Sequence, residues 1–93
     1  MSVEVRIPTM LRPSVGGNAT ITADGATIGE IVKELVAMYP GLAGQVITDD
    51  GSLHKFVNVY LNDDDIRYLG KLDTKVGEGD TVSILPAVAG GAS

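Results

Sequence analysis

Thr81-Val82-Ser83-Ile84-Leu85-Pro86-Ala87-Val88-Ala89-Gly90-Gly91-Ala92-Ser93 closes the chain, and its two halves obey different rules. Thr81 to Leu85 alternates with the period of a half-buried strand, which Pro86 ends. The parity hides Val82 and Ile84 and leaves Ser83 and Leu85 exposed. The seven residues that follow have little to bury. Such an end is either frayed or chemical, because Gly90-Gly91 has no Cβ, can lie flat in a slot too narrow for other residues, and can bring a carbonyl close to a reactive group. What precedes the tail decides between the two.

Upstream, Gly77-Glu78-Gly79-Asp80 reads as the turn into this strand, and Leu69 and Leu72 anchor a short loop or helical turn. Phe56-Val57-Asn58-Val59-Tyr60-Leu61-Asn62 alternates strongly and is rich in strand formers. Its parity sends Val57, Val59 and Leu61 to one face and Phe56, Asn58, Tyr60 and Asn62 to the other. Asp63-Asp64-Asp65 is expected to close that strand, with Ile66-Arg67-Tyr68 pairing briefly beyond it. Residues 41–55 read as irregular, with Asp49-Asp50-Gly51-Ser52 as a turn.

Thr27-Ile28-Gly29-Glu30 places a hydroxyl and a carboxylate three apart before an apolar series, the pattern of a capping box. Ile28, Ile31, Val32, Leu35, Val36 and Tyr39 then recur on one helical face, while Glu30, Lys33, Glu34 and Ala37 point away. Pro40-Gly41 stops the helix. At the front, Val3, Val5 and Ile7 alternate with Ser2, Glu4 and Arg6, and Ala19 to Ala23 alternates again, so the two runs predict a hairpin. Pro8 and Pro13 bracket an expected loop, and Gly16-Gly17-Asn18 supplies a turn that permits positive φ. The order is strand, strand, helix, strand, short strand, strand, an α+β pattern with one helix on a mostly antiparallel sheet.

With 93 residues the chain makes one domain, able to bury about 60–65% of its unfolded surface. At 44% hydrophobic and 20% charged residues it has the composition of a folded globule. It has no cysteine, which excludes a disulfide framework, a thiolate nucleophile and a Cys-ligated metal. Twelve acidic residues against seven basic ones give a net charge of -5, which argues against nucleic acid or an anionic membrane as partner. No cationic start leads into an apolar run, and no 18-residue apolar segment occurs, so a cytoplasmic location is expected.

No site chemistry emerges from the remaining candidates. Hard-cation loops need more ligands at wider spacing than Asp63-Asp64-Asp65 provides, so those carboxylates read as a solvated turn. His54 is the single histidine and has no partner for zinc or triad chemistry. Gly16-Gly17 and Gly77-x-Gly79 lack the Lys-Ser/Thr of a phosphate loop. No metal site, bound cofactor or catalytic residue is expected.

The element order, with a last strand spilling into Gly-Gly, resembles the ubiquitin-like sulfur carriers of the ThiS/MoaD family, CysO type. The resemblance covers essentially the whole chain. It is carried by Val3 to Pro13, by His54-Lys55-Phe56-Val57-Asn58-Val59-Tyr60-Leu61-Asn62-Asp63, and by Ile84-Leu85-Pro86-Ala87-Val88-Ala89-Gly90-Gly91. It implies a ubiquitin-like β-grasp domain over residues 1–86, a mixed sheet of four to five strands on one main helix, followed by a flexible tail over 87–93. Members of the family are not enzymes. An E1-like adenylating and sulfurtransferase enzyme uses ATP to activate the terminal glycine, and a sulfur donor displaces AMP to leave a thiocarboxylate.

Carried onto this chain, the resemblance makes Gly91 the site of adenylation and sulfur attachment, with Val88, Ala89 and Gly90 threading into the partner. Ala92 and Ser93 depart from the pattern, because no family mechanism activates a serine terminus. They are either an extension trimmed by a JAMM-type zinc metallopeptidase or a cloning remnant. The sulfur acceptor would be a biosynthetic enzyme, for the CysO type a pyridoxal-phosphate-dependent cysteine synthase. If the last strand lies beside Phe56–Asn62, then Phe56, Tyr60 and Leu85 form an apolar partner-binding patch at the tail exit. A protein modifier that uses the same glycine to form isopeptide bonds, and an inert β-grasp interaction module, remain as alternatives. The protein alone is expected to be a monomer.

Overall fold

The computed structural model describes residues 2–48, 52–55 and 57–86. Its elements are β1 (Ser2–Arg6), β2 (Thr20–Asp24), α1 (Ile28–Met38), β3 (Val57–Leu61), β4 (Asp64–Asp65) and β5 (Thr81–Pro86), linked by short 3-10 turns. The strands form one mixed sheet in the order β2-β1-β5-β3-β4. β1/β2, β3/β5 and β3/β4 are antiparallel, and the central β1/β5 pair is parallel. This is the β-grasp arrangement, with α1 covering one face.

Side-chain parity builds the core. Val3, Val5, Ile21, Ala23, Val57, Val59, Val82 and Ile84 are buried on the inner face, against Ile28, Ile31, Val32 and Leu35 of the helix. Leu61, Val36 and Tyr39 pack on this cluster from its margin. The helix starts where the hydroxyl-carboxylate spacing places it. Glu30 N–H donates to Thr27 Oγ1 at 3.2 Å, while Glu30 Oε1 accepts from Ala26 N–H at 2.8 Å, one residue earlier than a standard box. Ile28 N–H donates to Thr74 O, tying the helix start to the loop before β5.

Two local expectations are corrected. The stretch between Pro8 and Pro13 is no open loop. Thr9–Val15 is a 3-10 helix with Pro13 inside it, because Leu11 and Val15 anchor it in the core and Gly16 (φ 69°) ends it in the left-handed region. Downstream of β3, Asn62 (φ 57°) begins the turn, Asp64–Asp65 is the short strand, and Ile66–Tyr68 is a helical turn. Asn tolerates the left-handed conformation the turn needs. The Asp65 carboxylate then accepts the Arg67 N–H at 2.9 Å and caps the turn, so the backbone coils where an extended strand was expected.

The segment expected to be irregular contains a 3-10 turn at Pro40–Leu42 and isolated bridges from Ile47 to Ala43 and Leu53. Asp49, Asp50 and Gly51 lie outside the described residues, while Thr48 N–H donates to Ser52 O at 2.7 Å. Gly77–Asp80 turns as expected, with Asp80 N–H on Gly77 O and Gly77 N–H on the Asp80 carboxylate.

Candidate functional site

Helix α1 covers one face of the sheet and leaves the other open to partners. Arg6, Ser83 and Tyr60 are register partners across β1, β5 and β3, so they form a row on that open face. Leu85 stands two residues beyond Ser83 and opposite Asn58, which makes Tyr60 and Leu85 diagonal neighbours within reach of long side chains. Leu85 is 43% exposed and Tyr60 is half-buried. Two of the three residues expected to form the patch, Tyr60 and Leu85, therefore stand diagonally to each other on this face. Phe56 lies outside the described residues.

Around these two side chains runs an open groove of about 730 Å³, whose lining includes Pro8, Met10 and Pro86. Met10 is 59% exposed and adds apolar surface to the lining. Arg6 and Arg12 stand on the β1 side and Asp63 on the other. The Arg12 Nε–H donates to Ile7 O at 3.1 Å, which fixes the guanidinium against the sheet. Arg6 lies 3.7 Å from the Glu4 carboxylate, an exposed pair of little energetic weight.

Strand β5 ends at this groove, where Pro86 is part of the lining. Pro86 has no N–H to offer a ladder. At the same end of the sheet, Pro8 O is taken by Leu11 N–H at 2.9 Å, and Val57 N–H by His54 O at 3.1 Å. Neighbouring backbone is thus committed to its own turns where β5 ends. Val88, Ala89, Gly90, Gly91, Ala92 and Ser93 lie outside the described residues.

Sequence reasoning missed Arg6, Pro8, Met10 and Arg12 as parts of this surface. They sit in the stretch that carries the family resemblance, yet local patterning gives no sign that β1 lies parallel beside β5. That pairing joins residues more than 70 positions apart.

A mixed five-stranded sheet gripping one helix, with an open groove where the last strand ends, defines a ubiquitin-like β-grasp protein. The chain belongs to the ThiS family, whose model matches residues 5–91. Within it the chain groups with proteins named CysO. It is 47% identical to the sulfur carrier protein CysO of Mycobacterium tuberculosis, over 98% of this chain and 100% of that protein. The crystal structure of the Amycolatopsis orientalis BexX/CysO complex contains a chain 45% identical, with a TM-score of 0.86, covering 96% of this chain and 99% of that one. Small archaeal modifier protein 3 of Haloferax volcanii is 38% identical over 98% of this chain and all of its own.

Proposed function

We propose that this protein is a sulfur carrier whose working group is the carboxylate of Gly91, exposed once Ala92 and Ser93 are removed by a JAMM-type metallopeptidase. The observation that carries the reading is the family match, which runs through β5 and closes on Gly91. A carboxylate is a poor electrophile and needs activation. Its oxygen attacks the α-phosphate of ATP on an E1-like enzyme, pyrophosphate leaves, and an acyl adenylate forms. A hydrosulfide equivalent then attacks the carbonyl, the C–S bond forms, and AMP departs with the C–O electron pair.

The domain contributes position to this chemistry. The apolar groove at Tyr60, Leu85 and Met10 docks the activating enzyme, Pro86 leads the chain out of the sheet, and Val88, Ala89 and Gly90 thread into the active site. The loaded thiocarboxylate then donates sulfur to a biosynthetic enzyme, in the cysteine-forming version one that uses pyridoxal phosphate. On this reading the protein is a substrate of enzymes and holds no cofactor itself.

A second reading is favoured by the relative named a small archaeal modifier protein. The same adenylate attacked by a lysine amine yields an isopeptide bond and a conjugated protein. ATP–pyrophosphate exchange tests the shared step. The form ending at Gly91 is expected to support exchange with its activating enzyme, and the full chain is not. Exchange by neither form refutes both readings and leaves an inert interaction module.

A further inference from the structure

The groove at the tail exit contains a group that the tail chemistry does not use. The chain has three methionines and no cysteine, so thioethers are its only sulfur. Met10 is 59% exposed and lines the groove together with Tyr60 and Leu85. Met38, which ends α1, is 42% exposed and lies outside that lining. Met1 lies outside the described residues. Single exposed apolar residues are ordinary, and Met10 is set apart by where it stands and by how it is held there.

Leu11 N–H donates to Pro8 O at 2.9 Å, which closes the turn that carries Met10. Leu11 and Val15 anchor the same 3-10 helix in the core, and the Arg12 Nε–H is tied to Ile7 O at 3.1 Å. The backbone under Met10 is thus fixed on both sides, while more than half of the residue stays exposed. A partner that covers Tyr60 and Leu85 from this groove covers Met10 as well. A thioether is apolar and adapts its shape to what it meets. Its sulfoxide is polar, and burying it in an apolar contact carries a desolvation cost.

We propose that Met10 is an oxidation site that regulates docking: hydrogen peroxide converts its thioether to the sulfoxide, and the oxidised carrier binds its activating enzyme more weakly. This rests on the reading that the groove docks that enzyme. In the step, the sulfur takes one oxygen from peroxide, an S–O bond forms, the O–O bond breaks, and the second oxygen leaves as water with both protons. Sulfur gives up two electrons and peroxide accepts them. Methionine sulfoxide reductases reverse the change. A chain without cysteine has no thiol to sense peroxide. A thioether at the docking face supplies that control at the step that loads the sulfur.

The test treats the form ending at Gly91, which keeps every residue the structure describes, with hydrogen peroxide. Catalase removes the peroxide before the activating enzyme is added for ATP–pyrophosphate exchange, and peptide mass mapping locates the added oxygen. The expected result is an oxygen on Met10, an unchanged melt, and a KM raised about fivefold or more over that of the untreated carrier. Methionine sulfoxide reductases restore the KM. Met10→Leu, which keeps an apolar side chain of similar volume, shows the same KM before and after peroxide, while Met38→Leu responds as the parent does. This proposal alone is overturned by a Met10 that stays unmodified, by Met10 sulfoxide with an unchanged or lowered KM, by a peroxide effect that persists in Met10→Leu, or by a fall in the melt that accompanies the change in KM. Absence of exchange with the untreated carrier overturns the carrier reading and this proposal with it.

Discussion

Leu85→Asp separates docking from folding at the tail exit. Leu85 is 43% exposed in the free domain, so a docked partner has that remainder left to cover. Burying a whole leucine side chain is worth about 1.5–3 kcal/mol, which makes the remainder about 1 kcal/mol. An aspartate loses that term and leaves an unpaired carboxylate in the contact, at about 1–3 kcal/mol more. The combined loss of about 2–4 kcal/mol corresponds to a fall of at least about thirtyfold in affinity. Folding suffers less, because strand preferences span only about 1 kcal/mol, or about 4–8 °C in a domain of this size. The assay is ATP–pyrophosphate exchange at varied concentrations of the form ending at Gly91, with a thermal melt of each variant. A raised KM with a melt lowered by no more than about 4–8 °C is expected. An unchanged kcat/KM in a folded Leu85→Asp variant refutes the docking role of this face.

Three further outcomes are expected. Gly90→Val leaves the melting temperature unchanged and abolishes adenylation, measured by the same exchange, because a branched side chain would close the narrow path proposed for the glycines. Leu35→Ala, at a helix position 1% exposed, costs about 2–5 kcal/mol in urea unfolding. Bonds from Arg67 hold the Asp65 carboxyl below the usual carboxylate range, so its contribution is fully present above about pH 4 and is lost as pH falls through the folded value. The stability gap between wild type and Asp65→Asn, followed by unfolding at stepped pH, therefore narrows on acidification, and a gap independent of pH contradicts the assignment.

Helix α1 and strand β3 were legible in the sequence because their signals are local. Ile28, Ile31, Val32 and Leu35 repeat with the helical period, and Val57 and Val59 alternate in a run of strand formers. Parity also placed Tyr60 and Leu85 on the open face before any pairing was known. The parallel β1/β5 contact was legible only through family resemblance, since hydrogen bonds between distant strands leave no local period. Prolines at 8 and 13 disguised the 3-10 helix, whose evidence lay in the burial of Leu11 and Val15. The run of three aspartates disguised a short strand and a cap, because Asp65 differs from Asp63 and Asp64 in its burial and in what it binds, and identical residues show neither.

Intact mass spectrometry of the form ending at Gly91 tests the carrier function most directly, after incubation with ATP, its activating enzyme and a sulfur donor. Replacement of one oxygen by one sulfur, localised by fragmentation to Gly91 and absent without ATP, is the predicted result. An unchanged mass under conditions in which the enzyme activates another carrier contradicts it.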